Sequence, residues 1–128
     1  MGFEIVRLYQ GSGISERLVL EATSNDNIGR YIVLDSTYEA SGGISNHFRH
    51  VYWFPDQDVK KGEKVILYTK KGIKDYEFKP PNKEVNVGTH FFFWGVDHNV
   101  WNDNADSVTL IEVADFDFKQ FKDIHVKK

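Results

Sequence analysis

The stretch from Thr89 to Val113, THFFFWGVDHNVWNDNADSVTLIEV, decides the fold class. It sets a dense apolar run, a polar turn and an alternating segment side by side. Phe91, Phe92, Phe93 and Trp94 form a continuous aromatic run closed by Gly95. A short apolar run between turn signals reads as a strand covered on both faces or lying under a loop, and aromatic rings favour a pleated surface. Asp97-His98-Asn99 and Asn102-Asp103-Asn104-Ala105-Asp106 follow. Asn and Asp bond to nearby backbone and tolerate left-handed conformations, so these segments predict turns. Val108 and Leu110 then alternate with Ser107 and Thr109, the period of a half-buried strand. The stretch reads as strand, loop, strand. Trp101 is the apolar plug of the loop, and Asn102 and Asp106 belong to its structure, with Asp106 expected to fix it through backbone N–H groups.

The same alternation recurs outward from this point. Phe3 to Tyr9 is rich in strand formers and ends at Gln10-Gly11-Ser12-Gly13. Leu18, Leu20 and Ala22 alternate with Arg17, Val19 and Glu21; Gly29 opens a strand through Tyr31 to Leu34. His50 to Phe54 stops at Pro55, which cannot donate to a ladder. Lys61-Gly62 precedes Val65 to Tyr68; Tyr76 and Phe78 alternate up to Pro80-Pro81; Phe116 and Phe118 alternate with Asp115 and Asp117. No window combines a sustained helical period with caps at both ends. The pattern predicts one all-β domain over residues 1–128, a sandwich of roughly seven to nine strands.

Composition narrows the possible chemistry. The 128 residues include ten Phe, six Tyr and three Trp but no Cys. That excludes disulfides, thiolate metal sites and a Cys nucleophile, and it suits a reducing compartment. The first ten residues, MGFEIVRLYQ, lack a positive n-region and a long apolar core, so no signal peptide is expected. A cytoplasmic location is the expectation, unless a leader has been trimmed. Nothing approaches the 18 apolar residues of a membrane span.

Three motifs resemble the lamin tail domain family, an immunoglobulin-like β-sandwich. Glu16 to Thr23 resembles the family's strand entering an N-T/S turn, followed by Ile28-Gly29-Arg30-Tyr31. Tyr52-Trp53-Phe54-Pro55, with Lys61-Gly62-Glu63-Lys64-Val65-Ile66-Leu67-Tyr68, is similar to its F-P … G-x-x-V-x-L hairpin. Val100 to Leu110 is similar to its W-x-N-x-G-D-x-V-x-L signature. Tyr31 stands where Trp is usual, Ala105 where Gly is usual, and Lys60-Lys61 replaces the usual Pro. The likeness covers residues 16–113. It implies an immunoglobulin-like fold and a non-enzymatic binding or scaffold role toward another protein, with no cofactor. Trp53 or Trp94 would belong to the contact surface, and an open strand edge would allow a homodimer.

Charge distribution offers an alternative. Between Lys60 and Lys83 there are eight Lys and three acids; the rest of the chain has eight basic and sixteen acidic residues. Lys60, Lys61, Lys64, Lys70, Lys71, Lys74, Lys79 and Lys83 would form a stripe across one hairpin. With Tyr68 and Tyr76 as stacking surfaces, that describes a polyanion or nucleic-acid binder. The competing reading is lysines that keep sheet edges from pairing with other chains, favoured by the lack of Arg in the segment.

A metal-dependent hydrolase is the third reading. His47 and His50 lie three apart and would face opposite sides of a strand, so no shared metal is expected. Asp97, Asn99, Asp103 and Asp106 do not match a calcium-loop spacing and read as a stitched turn. Asp97-His98 would suit acid–base work, with Ser12 or Ser41 as nucleophile, but no G-x-S-x-G elbow is present.

Overall fold

The computed structural model describes residues 1–37, 49–101 and 106–124. His47, Ser41, Asn102 and Asp103 lie outside them, as does the side chain of Asp106. The described residues form an all-β, sandwich-like structure. Among the described residues there are ten strands, above the expected seven to nine because two are two-residue bridges. They are β1 (Phe3–Tyr9), β2 (Arg17–Ala22), β3 (Asp26–Asn27), β4 (Tyr31–Thr37), β5 (Val51–Trp53), β6 (Asp58–Val59), β7 (Lys64–Tyr68), β8 (Tyr76–Lys79), β9 (Thr89–Phe93) and β10 (Asp106–Glu112). The helical turns are Ile28–Arg30 and Phe121–Asp123. No helix among the described residues is long and apolar enough to cross a membrane.

One sheet has the order β1-β2-β7-β9-β8 and a second β10-β4-β5; β3 and β6 pair separately. All pairings are antiparallel except β7 with β9. Period two explains the core. Leu18, Leu20, Val65, Leu67 and Phe92 point inward from the large sheet and are fully buried. Tyr31 and Val33 of β4 meet them, with Phe54, Val100 and Trp101 closing the same cluster. Edge-to-face ring pairs, Phe3 on Tyr31 at 4.9 Å and Phe54 on Phe92 at 5.2 Å, fix the registry of the layers. Gly62, at φ +88°, turns the chain into β7, and Gly95, at φ +89°, ends the aromatic run. Both positions need left-handed backbone, which a side chain would strain.

The strands differ from the sequence pattern in three places. The lysine-rich segment is not one hairpin: β9 inserts between β7 and β8, because β7 pairs with it in parallel. The Phe91–Trp94 run is not covered on both faces by further layers. Phe92 is buried, while Phe91 and Phe93 lie half-buried on the outer face. Phe116 and Phe118 belong to no strand and are 59% and 81% exposed.

Candidate functional site

The outer face of the large sheet collects residues that the sequence keeps far apart. Register aligns Tyr9 with Arg17, Arg17 with Tyr68, and Tyr68 with Phe93. Opposite residues in a ladder share a face, so these four form one row across four strands. The Arg17 guanidinium lies 4.3 Å from the Tyr9 ring centre and 5.6 Å from that of Tyr68. Tyr68 stacks on Phe93 at 5.4 Å with the planes 9° apart. A second row holds Arg7, Val19, Ile66, Phe91 and Glu77. Lys70 Nζ sits 5.3 Å from the Tyr68 ring and Lys79 Nζ 5.3 Å from Phe91. Each such cation–ring contact is worth about 0.5–1 kcal/mol when exposed. Glu77 and the Lys64–Glu21 pair, at 3.3 Å, are also on this face.

At the end of the Tyr9–Phe93 row a cleft of about 420 Å³ opens. Lys70, Lys71, Lys74, Ile73 and Glu77 line it, with Phe93 as its inner wall. Gly72 presses against the Phe93 ring so closely that an added Cβ would fall 2.6 Å from it.

The lysine group is therefore divided. Lys70, Lys71 and Lys74 are brought together around the cleft at Phe93, with Lys70 reaching the Tyr68 ring. Lys60 and Lys61 sit in the turn before β7, where Lys60 N–H donates to Glu63 Oε1 at 2.8 Å and Lys61 N–H to Asn25 at 2.8 Å. The length of β7 separates the two groups. Tyr76 does not join Tyr68 either, since its register partner is the buried Phe92. The two tryptophans part as well. Trp53 is 44% exposed and donates Nε1–H to Gly29 O at 2.7 Å. It lines a second cleft of about 400 Å³ with Phe116. Trp94 packs on the core between Tyr52 and Trp101.

Trp101 is the buried plug that the sequence predicts, 3% exposed. The fastener among the described residues is Glu16, which no pattern marked. Its carboxylate is buried and accepts Val100 N–H at 2.6 Å and Trp101 N–H at 3.1 Å. The Gln10 amide donates to Glu16 Oε2 at 3.2 Å and to the Trp101 carbonyl.

Two partly buried polar relays link neighbouring elements. Tyr76 O–H donates to His90 Nδ1 at 2.7 Å, and His90 Nε2–H donates to Glu63 Oε1 at 2.9 Å. Burial opposes ionisation of Glu63, but the His90 and Lys60 hydrogen bonds outweigh it and hold the carboxyl below its usual range. Burial, then the Glu63 charge, pushes the Tyr76 hydroxyl up. In the second relay Tyr31 O–H donates to Asp26 Oδ2 at 2.6 Å and accepts Gly2 N–H at 2.9 Å. Burial, followed by its bond to Asp26, pushes Tyr31 up to about 12. Asp26 is lowered: burial resists, but Tyr31, the Asn27 N–H and Arg30 prevail.

His50 and His98, 48 residues apart, meet with Nε2 atoms 3.2 Å from each other. Asp97, expected in a stitched turn, bonds His98 Nδ1 at 2.9 Å, which lowers the Asp97 carboxyl. Asn99 is exposed near it. No three His, Asp or Glu side chains among the described residues form a cluster able to hold a metal. Asp115 and Asp117 are exposed on an irregular segment rather than sharing a strand face.

Comparison with protein-family models, with curated proteins and with solved structures gives no match for this chain.

Proposed function

We propose that this chain is a non-enzymatic binding module of the lamin-tail, immunoglobulin-like kind, and that it takes single-stranded nucleic acid across the outer face of the large sheet. The observation that carries the reading is the row Tyr9, Arg17, Tyr68, Phe93, with cations resting on its rings. Single strands are held by aromatic platforms that stack bases and by cations that track phosphates. This face supplies both. Arg7 and Arg17 add the forked donors that the lysine segment lacks, and Lys70 and Lys79 flank them.

A fluorescent oligonucleotide titrated by anisotropy over a series of salt concentrations tests it. Four phosphate contacts give a log–log slope of about −3 for a single strand. Arg17→Ala is expected to make that slope shallower by about 0.7. Affinity that does not change with salt rejects the proposal.

Protein contact is the second reading, and one observation favours it. Trp53, Phe116 and Phe118 expose neighbouring apolar rings at β5, an edge strand among the described residues. An apolar contact of that kind holds or tightens as salt rises, so the same salt series separates the two readings.

A further inference from the structure

We propose that His50 and His98 form a two-histidine site for a transition-metal dication of the zinc, nickel or copper class. An ionised carboxylate only accepts, and a neutral imidazole has one donor and one acceptor nitrogen. Asp35 Oδ2 lies 3.2 Å from His50 Nδ1, and Asp97 Oδ1 lies 2.9 Å from His98 Nδ1. With both imidazoles neutral, both Nδ1 atoms donate, which leaves both Nε2 atoms as acceptors. These two lone pairs face each other at 3.2 Å. Facing lone pairs repel unless a positive species lies between them.

The dimensions suit a metal ion. A tetrahedral ion about 2.05 Å from each nitrogen sets the nitrogens about 3.3 Å apart and the ring centres about 5.2 Å apart. The ring centres here are 5.3 Å apart, with the planes inclined by 60°. The outer atoms are arranged for the same task. A metal-bound histidine is usually oriented by a carboxylate on its other nitrogen, which raises its basicity, and here each histidine has one. Asp35 is fully buried and also accepts His50 N–H at 2.7 Å, so the first imidazole is rigidly held. His98 is about half exposed and Asp97 fully so, which leaves the ion open to water on that side. Arg49, 3.6 Å from Asp35, is the nearby positive charge the two carboxylates must outweigh. Two protein ligands leave two positions for water or for a group carried by a partner.

The test uses tag-free full-length chain and Cu²⁺ or Zn²⁺ alone. Expected are one Cu²⁺ per chain, an electron-paramagnetic-resonance spectrum split by two imidazole nitrogens, and a rise in Tm with Zn²⁺, because the ion ties two distant loops of the folded form only. His50→Gln and His98→Gln should each weaken binding at least tenfold and remove the two-nitrogen signature. Asp97→Asn should weaken it tenfold or more while retaining that signature. His98 and Asp97 are exposed enough for their variants to fold. Failure to saturate, a single-nitrogen spectrum, or binding unchanged in His98→Gln overturns the proposal. In those cases a shared proton, not a metal, fills the gap.

Discussion

Replacing Glu16 by Ala tests how the plug loop is held. The side chain is 2% exposed and its carboxylate takes two backbone N–H groups, those of Val100 and Trp101. Val100 and Trp101 are themselves 2% and 3% exposed, so water cannot replace the lost acceptor. A buried donor left unpaired costs about 1–3 kcal/mol. Two such donors cost about 2–6 kcal/mol, and the relief of no longer burying a charge brings this to about 1–4 kcal/mol. Glu16→Gln keeps one acceptor oxygen and should cost about half as much. Gln10→Ala removes only the peripheral amide and should cost under about 1 kcal/mol. Urea unfolding followed by tryptophan fluorescence measures all three. With a denaturant slope of about 1.5 kcal/mol/M, Glu16→Ala should move the midpoint down by about 1–3 M. A Glu16→Ala loss below about 1 kcal/mol at unchanged slope refutes the reasoning, because the loop would then be held by something other than this carboxylate.

Two further outcomes follow from the partly buried relays. Tyr76→Phe leaves His90 Nδ1 without its donor in a 3% exposed residue, and should destabilise by about 1–3 kcal/mol in the same urea assay; an unchanged midpoint would assign the relay no role in stability. Stability against pH should fall at both ends. Asp26 and Glu63 are lowered in the folded state, so the unfolded chain takes up protons first and stability declines as pH drops below about 4. Tyr31 is raised to about 12, so its contribution is complete below pH 10 and is lost as pH rises through 12, a swing of about 2–3 kcal/mol that Tyr31→Phe should remove from the alkaline side of a Tm profile.

Most strands were legible because period two marks which residues face inward, and Leu18, Leu20, Val65 and Leu67 obey it. Period two does not name the neighbouring strand. Hence β7 and β8 read as a hairpin, although β9 separates them, and the lysines read as one stripe. Alternation at Phe116 and Phe118 had no partner strand to pair with, so it produced exposure instead of a core. Glu16 was invisible because a carboxylate gives no sign of burial until the N–H groups of residues 84 and 85 positions away converge on it. Arg7 and Arg17 joined Lys70 and Phe93 only through register, and His50 met His98 only through the packing of two loops. The adjacency of Asp97 and His98 was visible; the second imidazole was not.

The pairing of β4 with β10 has a consequence for synthesis. Thr37 leaves the ribosome long before Glu112, and at ordinary elongation speeds the interval is roughly 4–15 s. During that wait, among the described residues, β4 has the three residues of β5 to zip against and the edge that β10 will cover stands unpaired. A nascent chain halted before Asp106 would carry an unmated greasy ribbon, the kind of template on which polypeptides clump.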